Sequence, residues 1–585
     1  MEAYRQLDSA RRSEVFLVRF FPIAVLAGLF PLLCAVSPSA QETESKTDIA
    51  AAAEKLYEAG EWVRLIQSTD GSAAQTPELN YLRGMALMHL ERYADAREAF
   101  SAGYRAAPHE ARFLVERAGA EYRLKDFASA KSDLRRALRA QPKDEYTLEF
   151  LGTIYLLENN LDAALKYWNR VGRPQLASVV VQPEPRVKAE LYKNAVTFNA
   201  PQVLSRASWH TSDARLENLG IFPERRLELA PAGDQNYSAI LHASERDGRD
   251  NLRWTGLVSL LSGVPYQTVY PDWYNIGSRA INFTSMARWD AQKRRASASL
   301  GFPIGGRSDR VASIFVDGRD ENWDLSQTFT GSTSPINNLN LRSIEGGVDL
   351  RFVINGDWSW NAGVAVIGRT FQNAGTEPNP SAAALFTSGT TLKSRGGVTH
   401  TLLGIPERRF KVVGGANFEF GRGFKQELGT FGSLGGSMRT EWLPHASGEQ
   451  DSVHIQVRAA EMFGTVPLDQ LFELGLNRDS SLWLRGHAAT IDGKKGRAPL
   501  GRRFVLLNSD YDRTLYNSGF FRLQAGPLVD VGKISDSSGV IGDSRWLIDA
   551  GVQVKLRVLG AVSVVLSYGR DLRNGEGALF GTTER

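Results

Sequence analysis

Cysteine is almost missing from this chain: Cys34 is the only one in 585 residues, and it sits inside an apolar run near the start. Once that run is removed no thiol is left, so disulfides are excluded as a source of stability. Leu32 and Leu33 precede Cys34, where a lipid-attachment cysteine requires small residues. Charge of one sign is also scarce. With 69 Lys and Arg against 65 Asp and Glu, the net charge is +4 over the whole length, too thin for a nucleic-acid footprint. The eight histidines include no His-Glu-x-x-His, and neither a Gly-x-Ser-x-Gly elbow nor a phosphate-binding glycine loop occurs. The chain is therefore read as non-enzymatic, with no cofactor and no metal. Asp317 with Asp320 would suit calcium in an outer loop, but two carboxylates are a weak ligand set. After the first forty residues, no apolar run reaches the length of a membrane-crossing helix.

What is present is an ordinary folded composition, 42% hydrophobic with 55 glycines and 12 tryptophans, long enough for two or three domains. Arg5, Arg11, Arg12 and Arg19 precede the apolar stretch Phe20 to Val36, which gives way to Ser37-Pro38-Ser39-Ala40. This reads as an export signal over residues 1–40, with an uncleaved anchor helix as the alternative. Its removal changes the formal charge by only one.

Residues 42–176 are helical and repetitive. Gly84, Ala96, Phe100 and Pro108 align with Ala118, Ala130, Leu134 and Pro142, and then with Gly152, Ala164 and Trp168, in units 34 residues apart. Small residues at the first two offsets let paired helices approach, and the bulky residue four positions later fills the groove. Tyr93, Phe127 and Leu161 hold the turn into each second helix, and Trp62 marks a degenerate earlier unit. The units resemble tetratricopeptide repeats, although Leu176 replaces the last proline. Stacked pairs share one core and expose a concave surface, either a docking surface for a peptide or partner protein or a rigid spacer.

Residues 177–186, with Pro183 and Pro185, read as a linker, although Ser178 to Val181 would also suit a strand. Residues 187–247 then give the order strand, helix, helix, strand, strand. Phe198 to Leu204 leads into a helix ending in Arg215-Leu216-Glu217-Asn218-Leu219-Gly220-Ile221-Phe222. This resembles one POTRA module, the periplasmic polypeptide-binding domain of outer-membrane assembly factors and two-partner-secretion transporters. The resemblance implies that Leu216, Leu219 and Phe222 lie against the sheet while Gly220 makes the turn. A generic α/β linker domain is the alternative.

From residue 248 to 585 the periodicity is predominantly two. Trp358, Trp360, Ala362, Val364 and Val366 share one strand face, as do Val552, Val554, Leu556 and Val558 on a later strand; mostly small or polar residues take the other face. Such alternation marks a transmembrane antiparallel β-barrel, here of about sixteen strands. Its first strand is expected near Ala280 to Trp289 and its last near Ala561 to Tyr568. Within it, Leu484-Arg485-Gly486-His487, a Gly/Lys/Arg-rich loop and Leu528-Val529-Asp530-Val531-Gly532 resemble the arginine-glycine-aromatic loop and aspartate-glycine strand of the outer-membrane translocase superfamily. The resemblance implies that Arg485 and Gly486 lie at the tip of a loop folded into the lumen, with Asp530 and Gly532 on the inner wall and Asp530 as the acidic partner. His487 departs from the family's aromatic residue.

The fold class expected is thus a helical repeat solenoid, a small α/β module and a barrel. The resulting reading is an outer-membrane protein, its N-terminal domains periplasmic, that inserts or translocates client polypeptides. Its partners would be those clients, periplasmic or outer-membrane accessory proteins and outer-membrane lipid. A polysaccharide-export porin with a repeat scaffold and a passive adhesin or scaffold barrel are the alternatives.

Overall fold

Helix-forming runs broken at a fixed interval become paired helices in the computed structural model. It describes residues 39–585 apart from 71–75, 234–235, 247–259, 261–262, 327, 329–335, 337, 375–382, 447, 449, 519–520, 539–540, 542–544, 559–561 and 585. The expected export signal lies outside the described residues except for Ser39 and Ala40. The chain divides after Ile154 into two compact units.

The first unit holds α1 (Ser39–Glu58), α2 (Trp62–Ser68), α3 (Pro77–His89), α4 (Tyr93–Ala106), α5 (Ala111–Arg123) and α6 (Phe127–Ala140), and α7 (Glu145–Leu157) starts in it. Thr76 and Asp126 cap α3 and α6 by accepting the amides of Leu79 and Ser129. Glu91 and Lys125 take the left-handed conformation, with φ of 59° and 61°, so that α4 and α6 begin at Tyr93 and Phe127. Gly84, Ala96, Phe100, Ala118, Ala130 and Leu134 are all buried. A Cβ at Gly84 would lie 2.4 Å from the Phe100 ring, so the small residue is what admits the large one. Between α5 and α6, Arg117 forks onto Asp133, with Nη2 2.8 Å from Oδ1. Burial and the neighbouring Asp133 charge push the Glu121 carboxyl up to about 7.

The second unit begins with the end of α7 and α8 (Leu161–Trp168), capped by Asn160. In this last pair Gly152, Ala164 and Trp168 are buried. There follow β1 (Gln175–Gln182), α9 (Ala189–Ala195), α10 (Arg206–Asn218), β2 (Glu224–Pro231) and β3 (Asn236–Ser244), in the sheet order β1-β3-β2 with β1 parallel to β3. The stretch assigned to a linker at 177–186 is thus corrected: its first residues belong to a strand, and the module starts near 175, not 187. Three consecutive valines favour extended backbone, and β3 pairs with it from Gln175 opposite Asn236 to Gln182 opposite His242. Leu216, Leu219 and Phe222 are buried, and Gly220 sits at φ 69° where the helix turns into the strand.

The rest is one large antiparallel sheet. Its strands are β4 (Thr268–Val269), β5 (Trp273–Ile276), β6 (Ile281–Arg288), β7 (Lys293–Pro303), β8 (Arg310–Trp323), β9 (Leu339–Val353), β10 (Trp358–Gln372), β11 (Gly389–Ile405), β12 (Phe410–Gly423), β13 (Thr430–Trp442) and β14 (Asp451–Gly464). After a long loop carrying the short pieces β15 (Phe472–Glu473), β16 (Thr490–Ile491), β17 (Lys494–Lys495) and β18 (Leu500–Gly501) come β19 (Arg503–Asn517), β20 (Phe521–Ser535), β21 (Trp546–Val558), β22 (Val562–Asp571) and β23 (Gly577–Glu584). β14 pairs directly with β19 across the loop. The strand order returns to its start, with β23 beside β4. Among the described residues no residue-by-residue register joins those two strands as it joins the other long neighbours.

Two expectations change here. The sheet opens with the short β4 and β5, which pair in turn with β6, so the first strand lies before Ala280. It closes on β23, because Asp571, Asn574 and Gly575 (φ 76°) turn the chain back after β22. Counting β4 and β5 as one interrupted strand, the described residues supply fifteen; residues 247–259 and 261–262, just before β4, lie outside them.

The faces of this sheet invert the usual rule. Ile344 (62% exposed), Val364 (56%), Leu434 (62%) and Val552 (56%) point outward, while Asp549, Gln553 and Lys393 are buried on the inner side. An exposed apolar band of this extent is foreign to a water-facing surface. The α/β module touches the short turns of one end: Lys188 N donates to Ser278 O, Asn218 Nδ2 to Ser308 O, and Gly356 N to Thr211 Oγ1. α8 joins that end too, through Asn160 to Pro406 O and Lys166 Nζ to Glu407 at 2.6 Å. The long loop before β19 belongs to the other end.

Glu121→Gln is expected to slow hydrogen exchange across residues 111–140 of the intact chain by about 1 kcal/mol near pH 8 and to have no effect near pH 4. A carboxyl raised on folding contributes its stability in full below about 4.5 and loses it as pH rises through about 7. Equal exchange of variant and wild type near pH 8 would refute this.

Candidate functional site

Strand register places Asn508, Asp530, Asp549 and Asp571 directly opposite one another across β19, β20, β21 and β22. Asp530, Asp549 and Asp571 are buried. Like charges facing across a sheet repel, so this inner wall requires donors, and residues 465–502 bring them. The base of that loop packs Leu474 and Leu484 onto Phe504, Leu506 and Ile534 of the wall. Its tip then meets the carboxylates. Arg485 donates to Asp530 through Nε at 2.8 Å, Nη2 at 2.6 Å and its own amide at 2.9 Å. Its Nη1 reaches Asp510, and Asn508 Nδ2 supplies Asp530 with a further bond at 2.6 Å. The next amide, Gly486 N, donates to Asp549 at 2.5 Å.

The loop lies against bare backbone here. A Cβ at Gly569 of β22 would stand 2.3 Å from the Arg485 carbonyl, and one at Gly486 2.5 Å from the Asp571 amide, so neither position has room for a side chain. Gly532 lies beneath Leu474 and Leu484, each 3.2 Å from where its Cβ would be. His487 follows, with Nδ1 3.1 Å from Asp549 and Nε2 3.4 Å from Asp571. Only the protonated ring donates from both nitrogens. Burial pushes His487 down, but the Asp549 hydrogen bond and the Asp549 and Asp571 charges outweigh it and leave the ring above its ordinary value. Burial likewise opposes the Arg485 charge and is overcome by Asp530 and Asp510, so the guanidinium is held above its usual range.

Sequence reasoning missed the loop's other anchors. Asp479 is clamped by Arg288 of β6 at 2.8 Å and Arg295 of β7 at 2.6 Å, and its carboxyl lies well below the usual range because these cations outweigh its burial. Lys495 meets Glu321 of β8 at 3.2 Å, and Asp469 meets Arg369 of β10 at 3.0 Å. The signal available was alternation: Arg295 and Asp317 sit at inward positions of neighbouring strands. Asp317 and Asp320, considered for calcium in an outer loop, lie instead on β8. Asp317 is neutralised by Arg295 and Arg319, and Asp320 faces Arg342 at 3.3 Å, so both already have cationic partners. Among the described residues, His487, Asp549 and Asp571 form the one group with metal-ligand atoms close together. The imidazole lies between the two carboxylates and offers each a different nitrogen, an arrangement suited to a proton rather than to one ion.

Residues 50–111, 81–145 and 115–176 match the tetratricopeptide repeat family, and that region of the chain is a tetratricopeptide-repeat array. No curated protein matches the chain. Among solved structures it is similar to CdiB from Escherichia coli, at 13% identity over 71% of this chain and 77% of that one, with a TM-score of 0.45. It is similar to CdiB from Acinetobacter baumannii at 13% identity, over 70% and 73%, with a TM-score of 0.43. BamA from Haemophilus ducreyi lacking POTRA domains 1-3 gives 12%, 70%, 85% and 0.40 in the same order.

Asp479→Asn and Arg485→Ala should each expose loop 465–502 to protease while leaving the long strands folded, because each strips one anchor but none of the ladder bonds. A loop as protected as the wild type's in both variants would contradict this. His487 adds a pH dependence. Its contribution is complete below the ordinary histidine value and is lost as pH rises through the raised folded value. Loop protection should therefore weaken on alkalinisation in the wild type, and His487→Gln should flatten that profile; an unchanged profile in the variant would assign the loss to another group.

Proposed function

We propose that this chain is an outer-membrane barrel that inserts or translocates client polypeptides, its repeats and POTRA-like module lying in the periplasm. The reading rests chiefly on one observation: loop 465–502 lies along the inner wall, with Arg485 forked onto Asp530. A passive pore gains nothing from filling its own lumen with a charged loop, whereas a gated conduit needs a plug with an oriented, breakable anchor. The apolar outer band suits a lipid boundary. The β1-β3-β2 sheet, at the end with short turns, has β1 and β2 as its outer strands; Gln175 and Leu176 of β1 already pair with Val203 and Gln202, and an extended client could add a strand beyond them or along β2. The seam between β23 and β4, which among the described residues lacks the continuous register of the other long neighbours, is where the wall would part.

In this mechanism a client docks on the repeats or the module, the loop leaves the wall, and the chain passes through the lumen or into lipid at the seam. No bond is made or broken, so the protein's own residues work as anchors and surfaces only.

Depletion of the chain should remove a defined set of outer-membrane or secreted proteins while surface polysaccharide persists. Loss of polysaccharide with the protein set intact would transfer the chain to the export-porin class. Arg485→Ala and Asp530→Ala should each impair client delivery, and the double variant should be little worse than either. Additive losses would detach the pair from the function.

A further inference from the structure

Where the first and last strands adjoin, a cavity of about 320 Å³ opens beside loop 465–502, lined among others by Tyr266, Arg288, Lys293, Arg478, Leu579 and Phe580. Its charge is unbalanced. Arg288 and Arg295 lie against Asp479, and Arg295 and Arg319 against Asp317, with the Glu321 charge also bearing on Arg319; of the cavity's own lining, three side chains are cationic and Asp290 is the one acid among the described residues. Lys293 stands 3.9 Å from Asp290, a loose pair. Arg478 has no carboxylate within 4 Å among the described residues. Its guanidinium lies instead 3.4 Å from the centre of the Tyr266 ring and 4.7 Å from that of Phe580. Stacking of this kind fixes the plane of the fork but leaves its charge uncompensated. Burial opposes that charge, which makes a missing counter-ion more costly.

We propose that this cavity binds a phosphate group, free or carried on a lipid headgroup, with Arg478 as its principal donor and Arg288 and Lys293 beside it. A guanidinium fork with no carboxylate of its own fits two phosphate oxygens, whether of a free phosphate or of a phosphodiester, and Arg288 and Lys293 add positive charge beside it. The site joins three parts of the chain that are distant in sequence: Tyr266 before β4, Arg478 in the loop, and Phe580 in β23. A bound phosphate would therefore tie the loop to both sides of the seam, independently of the Arg485 anchor.

The test uses the full chain, purified in a phosphate-free maltoside detergent and titrated with inorganic phosphate by calorimetry. Saturable binding is expected, competed by sulfate, and at least about tenfold weaker in Arg478→Gln. Arg478→Lys, which keeps the charge but loses the fork, should fall between them. Heat-modifiable gel mobility shows whether each variant is folded. The same titration in phosphatidylglycerol nanodiscs separates the sources: a site already filled by lipid no longer takes free phosphate, whereas a site for soluble phosphate still does. No saturable binding in detergent, or equal affinity in a folded Arg478→Gln variant, would overturn the proposal.

Discussion

Three buried carboxylates, Asp530, Asp549 and Asp571, face one another across neighbouring strands, and a sheet cannot keep that row bare. Their countercharge does not come from the next strand in line. It arrives on a loop that must fold back along the inner wall to deliver one guanidinium, two backbone amides and an imidazole. The position of residues 465–502 follows from that need, as do the bare backbone at Gly569 and the glycine at 486, because the tip must touch the wall to reach the acids.

On the same inner face, the distant strands β6, β7 and β10 carry the reverse sign. There the wall is rich in guanidinium groups, and the loop supplies Asp479 and Asp469. The loop thus presents Asp479 and Asp469 to β6, β7 and β10 and Arg485 and His487 to β19 to β22, with Lys495 on Glu321 of β8 as the one base on the first side. Neither contact could be exchanged for the other without placing like charges together, so its orientation is specified as well as its location.

Much of this was readable in the amino-acid order. The interval of 34 residues located Gly84 against Phe100, because helix spacing puts those offsets on facing surfaces. Alternation in Trp358 to Val366 and Val552 to Val558 separated the outer face from the inner. Arg485 and Asp530 were legible only through a resemblance, since 45 residues of separation carry no local signal. Asp479, Asp549 and Asp571 were not singled out, because their meeting depends on the register of several strands at once. The start of the sheet was obscured by Pro271, which cannot donate to a ladder and parts β4 from β5. The run of valines in β1 suited a strand, but the prolines that follow it suited a linker equally well.

The loop's charged partners lie on both sides of it in the chain. Arg288, Arg295, Glu321 and Arg369 are made before residue 465, whereas Asp510, Asp530, Asp549 and Asp571 come after residue 502. An assembly that proceeds from the N-terminal side has Asp479 seated before any of the acidic row exists. The last strands would then be laid down around a template already in place, each new carboxylate neutralised as its strand joins, and the growing edge would never carry the repulsion that the finished wall conceals.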